Sequence, residues 1–484
     1  MRLRTRTMLK GCLLPTVAIA ITLPCMAQSG GLDGPKWPDS PSSQLMAEAA
    51  ASQGPAVGQQ ALGESSSATP QRGEGNQPIL TRAQAEQMAL KNNPRVSIGR
   101  LLALAQHQVY RETRSAELPQ STASLTAVDA EDGTRISAGY LTASRLFEHA
   151  GAGASVLQLI TDFGKTSNMV AYSKLQERAQ NANAIATEQD ILIATDQAFY
   201  DALQAQALLK VAQQNVDTRQ TTESQVSQLT KSKLKSTLDL SFADVNLSQA
   251  RLLLLDAENN RDASMAALDA VLGLDKEVIY SLVDDTASLT VPPDDVDHLI
   301  QAGLQQRPDL QALTFDQQAA LKYSHAERDQ MLPSISAAGT IGSVPVRPAQ
   351  YYNENWWGAV GVNMNIPVFN GFLYSAQAKE ASIRAKAAAE QTRDLHDRIV
   401  RDVRTAWLAA NTAYQKVSVT QKLLDEANLA LRLAQTRYQL GLSSIVELSQ
   451  AQYQQTDAAI GFTVAQYQYR LALATLNYQI GTAP

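Results

Sequence analysis

The sequence predicts a mainly α-helical protein with a small β part, in which long antiparallel helices form a helical barrel and four strands per chain contribute to a β-barrel. Three observations predict this class. The chain is an internal duplication, and each half contains a long stretch without proline. A short segment before each of these stretches alternates between two kinds of side chain at successive positions, which is the pattern of a β-strand. About 68 residues of continuous helix reach roughly 100 Å at 1.5 Å per residue. Helices of that length are longer than a single globular core is wide.

The first 27 residues are typical of a secretory signal peptide. Four basic side chains precede an apolar stretch at 13–23, and Ala27 ends a small-residue cleavage site. Both cysteines of the chain, Cys12 and Cys25, lie in this segment, so the expected mature chain has no thiol. Lipid attachment at Cys25 is the alternative fate of that residue. Removal of 1–27 leaves 37 basic against 47 acidic side chains, which makes the mature chain acidic.

Residues 28–78 are predicted to be a disordered linker. Gly, Pro and Ser account for 22 of these 51 residues, and large apolar side chains are scarce. A segment of this composition buries too little apolar surface to offset the entropy of ordering its backbone.

The two halves of the chain share motifs at a nearly constant spacing. Asn93-Pro94 and Leu118-Pro119 have counterparts 214 residues later, and Leu268–Gly273 has one 208 residues later. The spacing changes once, by six residues, between Pro119 and Asp162, as expected for a length change in a surface loop. The sequence therefore predicts two structural repeats, 79–274 and 296–481, joined by a linker at 275–295.

Each repeat is expected to contain the same elements in the same order. A short helix ends where a second one begins at Pro94 or Pro308, because proline fits the first turn of a helix and disrupts its interior. A β-hairpin, a long helix and a returning helix follow. The predicted ranges are 118–163, 164–231 and 237–273 in the first repeat, and 333–367, 371–440 and 444–480 in the second.

The last predicted strand separates two kinds of side chain. Val360, Val362 and Met364 share one face, while Ala, Gly or Asn occupies the intervening positions. This pattern indicates lipid on one face and water on the other. Aromatic side chains at one end of the strand are expected at the membrane interface; they are Tyr351, Tyr352, Trp356 and Trp357.

Four strands cannot close a barrel, and lipid does not tolerate open sheet edges. Copies of the chain must therefore share one barrel. Two copies would give eight strands, whose interior is filled by side chains, whereas three copies would give a trimeric 12-stranded barrel with room for a channel.

In their order and spacing, these motifs resemble the TolC family of outer membrane efflux proteins. The residues that carry the likeness are Asp162-Phe163-Gly164, Phe369-Asn370-Gly371 and the run Arg437-Tyr438-Gln439-Leu440-Gly441-Leu442. The resemblance implies a homotrimer, with its β-barrel in outer membrane lipid and its helical tunnel in the periplasm. It also implies the exit duct of a tripartite efflux or type I secretion system, which passes solutes or proteins from a periplasmic adaptor and an inner-membrane pump to the exterior.

The same resemblance implies a narrow periplasmic aperture ringed by acidic side chains. The matching positions are Asp239 and Glu447, and the family's second acidic position in the second repeat falls on Gln450. That departure predicts a weaker negative ring. Both acids also fit a capping pattern with Ser236 and Ser444, so a structural role at a helix start is the alternative, and the two roles can coexist.

The resemblance further implies that an adaptor docks on the turns between long and returning helices. The matching residues are Leu440, Gly441 and Leu442 in the second repeat and Lys233 and Leu234 in the first. The first turn lacks the glycine and carries three lysines, which either select an acidic adaptor or are merely solvated.

Other functional classes find little support. The acidic balance argues against nucleic-acid binding, and the scattered histidines and the lack of nucleophile or phosphate-loop motifs predict no enzyme activity, no cofactor and no metal site. The remaining alternative is a periplasmic coiled-coil scaffold of the cell envelope, which explains the long helices but not two strand pairs at matching places.

Overall fold

The computed structural model describes residues 79–129, 135–138, 141–145, 149–274, 280–283, 289–346 and 356–482. The predicted signal peptide, the predicted linker at 28–78, and the interface candidates Tyr351 and Tyr352 lie outside the described residues. All described residues belong to one compact unit of the chain.

The helices of the two repeats correspond one to one. The first repeat contains α1 (Arg82–Asn92), α2 (Pro94–Ser115), α3 (Lys165–Lys231) and α4 (Thr237–Leu272), and the second contains α5 (Val296–Gln306), α6 (Pro308–Asp329), α7 (Leu373–Gln439) and α8 (Ile445–Gln479). The long helices α3 and α7 both have 67 residues, and the returning helices α4 and α8 have 36 and 35. α3 packs along α4 and also contacts α2, α6 and α8, while α7 packs along α8 and contacts α5 and α6.

The second helix of each repeat begins at its proline, as the sequence indicates. In the first repeat Asn93 caps α2, because its Oδ1 accepts a hydrogen bond of 2.9 Å from the Arg95 N–H. In the second repeat Arg307 holds the equivalent position and pairs with Asp309 at 2.7 Å instead. The equivalent helix starts of the two repeats are therefore stabilised by different side-chain contacts.

The largest described sheet has four antiparallel strands. In chain order the described strands are β1 (Ile79–Leu80), β2 (Gln120–Val128), β3 (Arg135–Ala138), β4 (Leu141–Arg145), β5 (His149–Thr161), β6 (Ser281–Leu282), β7 (Ser334–Val346) and β8 (Trp356–Asn365). The sheet has the order β2-β5-β7-β8, so β2 and β8 are its edges. Long helices with a small β part confirm the predicted fold class.

The two hairpins of this sheet have the same register. Gln120 faces Leu157 in the first hairpin, and Ser334 faces Asn365 in the second. Ser334 is the equivalent of Gln120 at the 214-residue spacing, and Asn365 is the equivalent of Leu157 at the 208-residue spacing. The duplication therefore extends to the pairing of individual residues.

Two further strand pairs correct the sequence-based expectation. β3 and β4 pair within the interval that the sequence assigns to a connecting loop. β1 and β6 pair in parallel, and Leu80 and Leu282 in them are buried. The segment predicted as a linker thus contributes a strand that pairs with the start of the first repeat.

Each repeat has its own apolar core, built from equivalent side chains. The shared positions are Ile191, Ala198, Ala202, Leu268 and Leu272 in the first core and Ile399, Ala406, Ala410, Leu476 and Ile480 in the second. One buried position differs in chemistry, because Glu86 stands in the first repeat where Ile300 stands in the second, and both are 8% exposed. The first repeat therefore buries a carboxyl group at a place where the second is apolar.

Large apolar side chains remain uncovered on the four-stranded sheet. Every residue of β8 is exposed, with Val360 at 91%, and Leu125 on β2 is 88% exposed. Contiguous apolar surface of this kind marks contact with lipid or with another chain.

Among the described residues, no helix is both long enough and apolar enough to cross a lipid bilayer.

Candidate functional site at the helix tips

The turns that join α3 to α4 and α7 to α8 lie side by side. We call them the first tip (residues 232–236) and the second tip (residues 440–444). A buried apolar cluster near the tips contains side chains from all four helices; they are Val226, Ala243, Ala434, Tyr438, Ile445, Leu448 and Ala451. The Lys235 Nζ of the first tip lies 4.4 Å from the centre of the Tyr438 ring. The tips of the two repeats therefore form one surface.

The two tips have the same backbone conformation although their sequences differ. Gly441 has φ +72° and Lys233 has φ +60°. The residue after each donates its N–H to a carbonyl five residues earlier, Leu442 to Arg437 and Leu234 to Leu229, both at 2.8 Å. The lysine thus occupies the left-handed position that glycine normally takes at a helix C-terminus.

We expect Lys233→Gly to stabilise the first tip. Glycine adopts positive φ without the steric cost of about 1 kcal/mol that a residue with a Cβ bears. Local opening of the last turn of α3 should then be about fivefold rarer, and hydrogen–deuterium exchange at the amides of Ser232 and Leu234 should be slower by that factor.

The matched control for this change is Gly441→Ala in the second tip. A Cβ at Gly441 would meet no atom within 4 Å, so only backbone strain is added. Exchange at the Leu442 amide should become faster by a similar factor. Equal exchange rates in the natural chain and in both variants would contradict the backbone interpretation.

The predicted aperture acids lie at the starts of the returning helices. The Asp239 N–H donates to Ser236 Oγ at 3.1 Å and the Ser236 N–H donates back to Asp239 Oδ2 at 3.3 Å, which is a complete capping box. The Glu447 N–H donates to Ser444 Oγ at 3.3 Å, but its Oε1 lies 3.1 Å from Arg437 Nε. Asp239 therefore caps its own helix, whereas Glu447 links α8 to the end of α7.

Gln450 lies one turn beyond Glu447 and is exposed. Tyr438 is buried beneath the tips, and burial, with a smaller contribution from the Asp239 carboxylate, raises the pKa of its hydroxyl. A role of Asp239, Glu447 and Gln450 in an aperture stays a prediction, because it depends on how copies of the chain surround a common axis.

A buried polar network between α3 and α8 was not predicted from the sequence. Arg219 Nη1 donates to Gln452 Oε1 at 2.7 Å, and Gln452 Nε2 donates to Thr222 Oγ1 at 3.0 Å. Burial lowers the pKa of the Arg219 guanidinium. Gln452 and Thr456 also line a neighbouring cavity of about 430 Å³. The partners lie more than 200 residues apart in the chain, and only the alanine at the equivalent position of the second repeat, Ala427, marks Arg219 as unusual.

Two of the four predicted interface aromatics lie among the described residues. Trp356 and Trp357 begin β8, and both are exposed. A Cβ at Gly342, which faces Trp357 across the hairpin, would lie 2.8 Å from the indole ring. The glycine therefore leaves room for the ring to lie over the neighbouring strand.

Comparison with known proteins places this geometry in context. The model of a family described as outer membrane efflux protein matches residues 85–274 and 299–482. Outer membrane protein TolC of Salmonella enteritidis is 23% identical over 348 residues, which cover 68% of this chain and 69% of TolC. A crystal structure of CusC has a TM-score of 0.74 at 18% identity and covers 83% of this chain and 92% of CusC. The Neisseria gonorrhoeae MtrE outer membrane channel in its open state has a TM-score of 0.70 at 18% identity, over 83% of this chain and 89% of MtrE.

Proposed function

We propose, from the premise that this chain belongs to the outer membrane efflux protein family, that three copies assemble around one channel. The predicted localisation in the outer membrane and the predicted function in efflux are confirmed by that membership. The periplasmic scaffold alternative has no support from it. The stoichiometry, the adaptor and the pump are the parts that we propose.

The trimer is inferred from the two open edges of the four-stranded sheet. Among the described strands, β2 and β8 each lack a neighbour on one side, and both expose apolar side chains. In lipid each unpaired backbone group costs several kcal/mol, so a sheet must close on itself. Three copies bring twelve strands, which is enough to enclose a channel.

The internal duplication supplies the geometry of the contact between copies. Within one chain the first repeat meets the second through β5 with β7, α3 with α6 and α3 with α8. If the repeats follow one another around a ring, the second repeat meets the first repeat of the next copy in the same way. β8 then pairs with β2 of that copy, and α7 packs against its α2 and α4.

This geometry predicts a register between copies. Within the chain Val156 of β5 faces Gly339 of β7. Their equivalents in the other repeat, at the 208- and 214-residue spacings, are Met364 of β8 and Leu125 of β2. Met364 of one copy should therefore face Leu125 of the next, and Asn363 should face Thr126.

We expect a chain with Leu125→Cys and Met364→Cys to form a covalent trimer on mild oxidation. Residues directly opposite in an antiparallel pair have Cα atoms about 4.5–5.5 Å apart, within reach of a disulfide. Both natural cysteines lie at 1–27, so a processed chain carries only the introduced thiols. The product is read as a trimer on non-reducing gels, with Thr126→Cys and Asn363→Cys as a second pair.

The matched control moves the first cysteine by two residues along β2, with Ala123→Cys in place of Leu125→Cys. Its thiols lie on the same face as before but diagonally apart, so the yield should fall at least fivefold. An internal disulfide within a single chain, or a better yield from the shifted pair, would contradict the trimer.

We further propose that the tips are the periplasmic end of this channel. Asp239, Glu447 and Gln450 would then surround the aperture, and Lys233, Leu234, Leu440, Gly441 and Leu442 would meet an adaptor that connects to an inner-membrane pump. The exposure of Leu234 and Leu442, at 70% and 67%, supports a contact with another protein there. No catalytic role is proposed for the chain.

A further inference from the structure

The two tips differ in charge. Lys231, Lys233 and Lys235 surround the first tip, and none of them forms an ion pair within the described part of the chain, where Lys235 instead lies over the Tyr438 ring. In the second tip the nearest cation, Arg437, is paired with Glu447. The first tip is therefore basic and the second is close to neutral.

The lysines surround exposed apolar side chains. Leu234 of the first tip and Leu238 at the start of α4 are both more than half exposed, and Leu440 and Leu442 lie in the neighbouring tip. Apolar side chains rimmed by charge are typical of a surface that binds another protein. Solvation alone accounts for the lysines but not for the exposed leucines beside them.

The backbone of Lys233 is a second, independent observation. Its left-handed conformation is less favourable than that of a glycine, and the second tip shows that a glycine forms the same turn. Residues in sparsely populated backbone conformations cluster at functional sites, so the conformation of Lys233 supports a hypothesis of function. Lys233 makes no side-chain hydrogen bond or ion pair within the described residues. The feature that a lysine offers here and a glycine does not is therefore its ammonium charge.

We propose that the first tip selects an acidic partner, and this inference rests on the proposed function. The partner is a periplasmic protein that presents carboxylates around an apolar pocket. Leu234 enters the pocket, and the three ammonium groups face the carboxylates. The second tip then contributes apolar contact through Leu440 and Leu442 and carries little of the charge selectivity.

The test is site-specific photo-crosslinking of the full chain in the envelope of its own host. A benzoyl-phenylalanine probe replaces Leu234 in one variant and Leu238 in another, and the adduct is identified by mass spectrometry. We expect a protein adduct whose crosslinked segment contains at least two Asp or Glu residues. Adducts to lipid or polysaccharide, to a segment without acidic residues, or no adduct at either position would overturn the proposal.

Charge variants of the three lysines provide the matched comparison. Replacing all three by Arg keeps the charge and should keep the adduct yield within twofold, whereas replacing all three by Glu should lower the yield at least tenfold. An equal yield from both would overturn the charge selection. The Leu125–Met364 disulfide is measured in the same membranes. If the trimer forms but the Arg and Glu variants give equal adduct yields, this inference alone is refuted. If the trimer does not form, the proposed function is refuted.

Discussion

At pH 8 the Asp196→Asn variant should hold α1 on α3 more tightly than the natural chain does, by about 2 kcal/mol. Asp196 lies on α3 and is buried against α1, where Arg82 Nη1 approaches its Oδ2 at 3.4 Å. Burial, aided by the neighbouring Glu86 carboxyl and opposed by the Arg82 charge, raises the pKa of Asp196 to about 7. Its Oδ1 has no hydrogen-bond partner within the described residues.

The direction of the pH dependence follows from that raised pKa. The folded chain binds the Asp196 proton more tightly than an open state does, so ionisation of the carboxyl favours opening. The stability of the α1–α3 contact should therefore fall as the pH rises from about 4 to about 7, and stay low above pH 7. A neutral Asn cannot ionise, so the advantage of the variant is near zero at pH 4 and greatest above pH 7. The expected difference is smaller than the full pKa shift would give, because solvent reaches the site beside Arg82, whose side chain is 28% exposed, and reduces the cost of burying the charged carboxylate.

Hydrogen–deuterium exchange of the α1 amides measures this difference. At each pH the rates in the natural chain and the variant are compared directly, so the intrinsic pH dependence of exchange cancels. The expected ratio is close to one at pH 4 and about thirtyfold at pH 8, with slower exchange in the variant. The control is α5 of the second repeat, where the apolar Ile300 occupies the buried position equivalent to Glu86 and Arg404 occupies the position equivalent to Asp196. A ratio that is independent of pH, or that also changes in α5, would contradict the role of Asp196.

Sequence patterns predicted the fold class because the duplication repeats signals that are weak when they occur once. Pro94 and Pro308 each mark a helix start, and the 208-residue spacing relates the 67 residues of α3 to those of α7. The short strands β3 and β4 were missed, because each has five residues or fewer and is too short to be distinguished from a loop by its pattern.

The site residues were less predictable, because their roles arise from contacts between distant parts of the chain. Glu86 and Asp196 are 110 residues apart, and each is an unremarkable charged residue of a helix until the fold buries both beside Arg82. Similarly, Lys233 breaks the sequence likeness between the tips, although the backbone of the turn is the same. A pattern in one sequence reflects the preferences of neighbouring residues. It does not show which distant side chains the fold buries next to each other.

Gly273→Ala should be the most destabilising of a series of alanine substitutions at glycines, lowering the free energy of unfolding by about 3 kcal/mol. Gly273 ends α4 with φ +70°, and a Cβ there would lie 2.8 Å from the Asn92 carbonyl oxygen at the junction of α1 and α2. Backbone strain of about 1 kcal/mol is then added to a collision that only a shift of the backbone can relieve, at roughly 1–3 kcal/mol.

The duplication supplies the matched members of this series. Gly481 ends the second repeat with φ +74°, and its Cβ would lie 3.0 Å from the backbone of Gln306, the equivalent of Asn92, so Gly481→Ala should cost slightly less. Gly441→Ala has the same positive φ in open space and should cost only about 1 kcal/mol, while Gly461→Ala lies within α8 in open space and should be neutral or stabilising. Urea unfolding of the detergent-solubilised protein, followed by tryptophan fluorescence, ranks the four variants. Equal losses at Gly273 and Gly441 would show that backbone strain alone matters and that the junction of the short helices with the returning helix is not a close contact in solution.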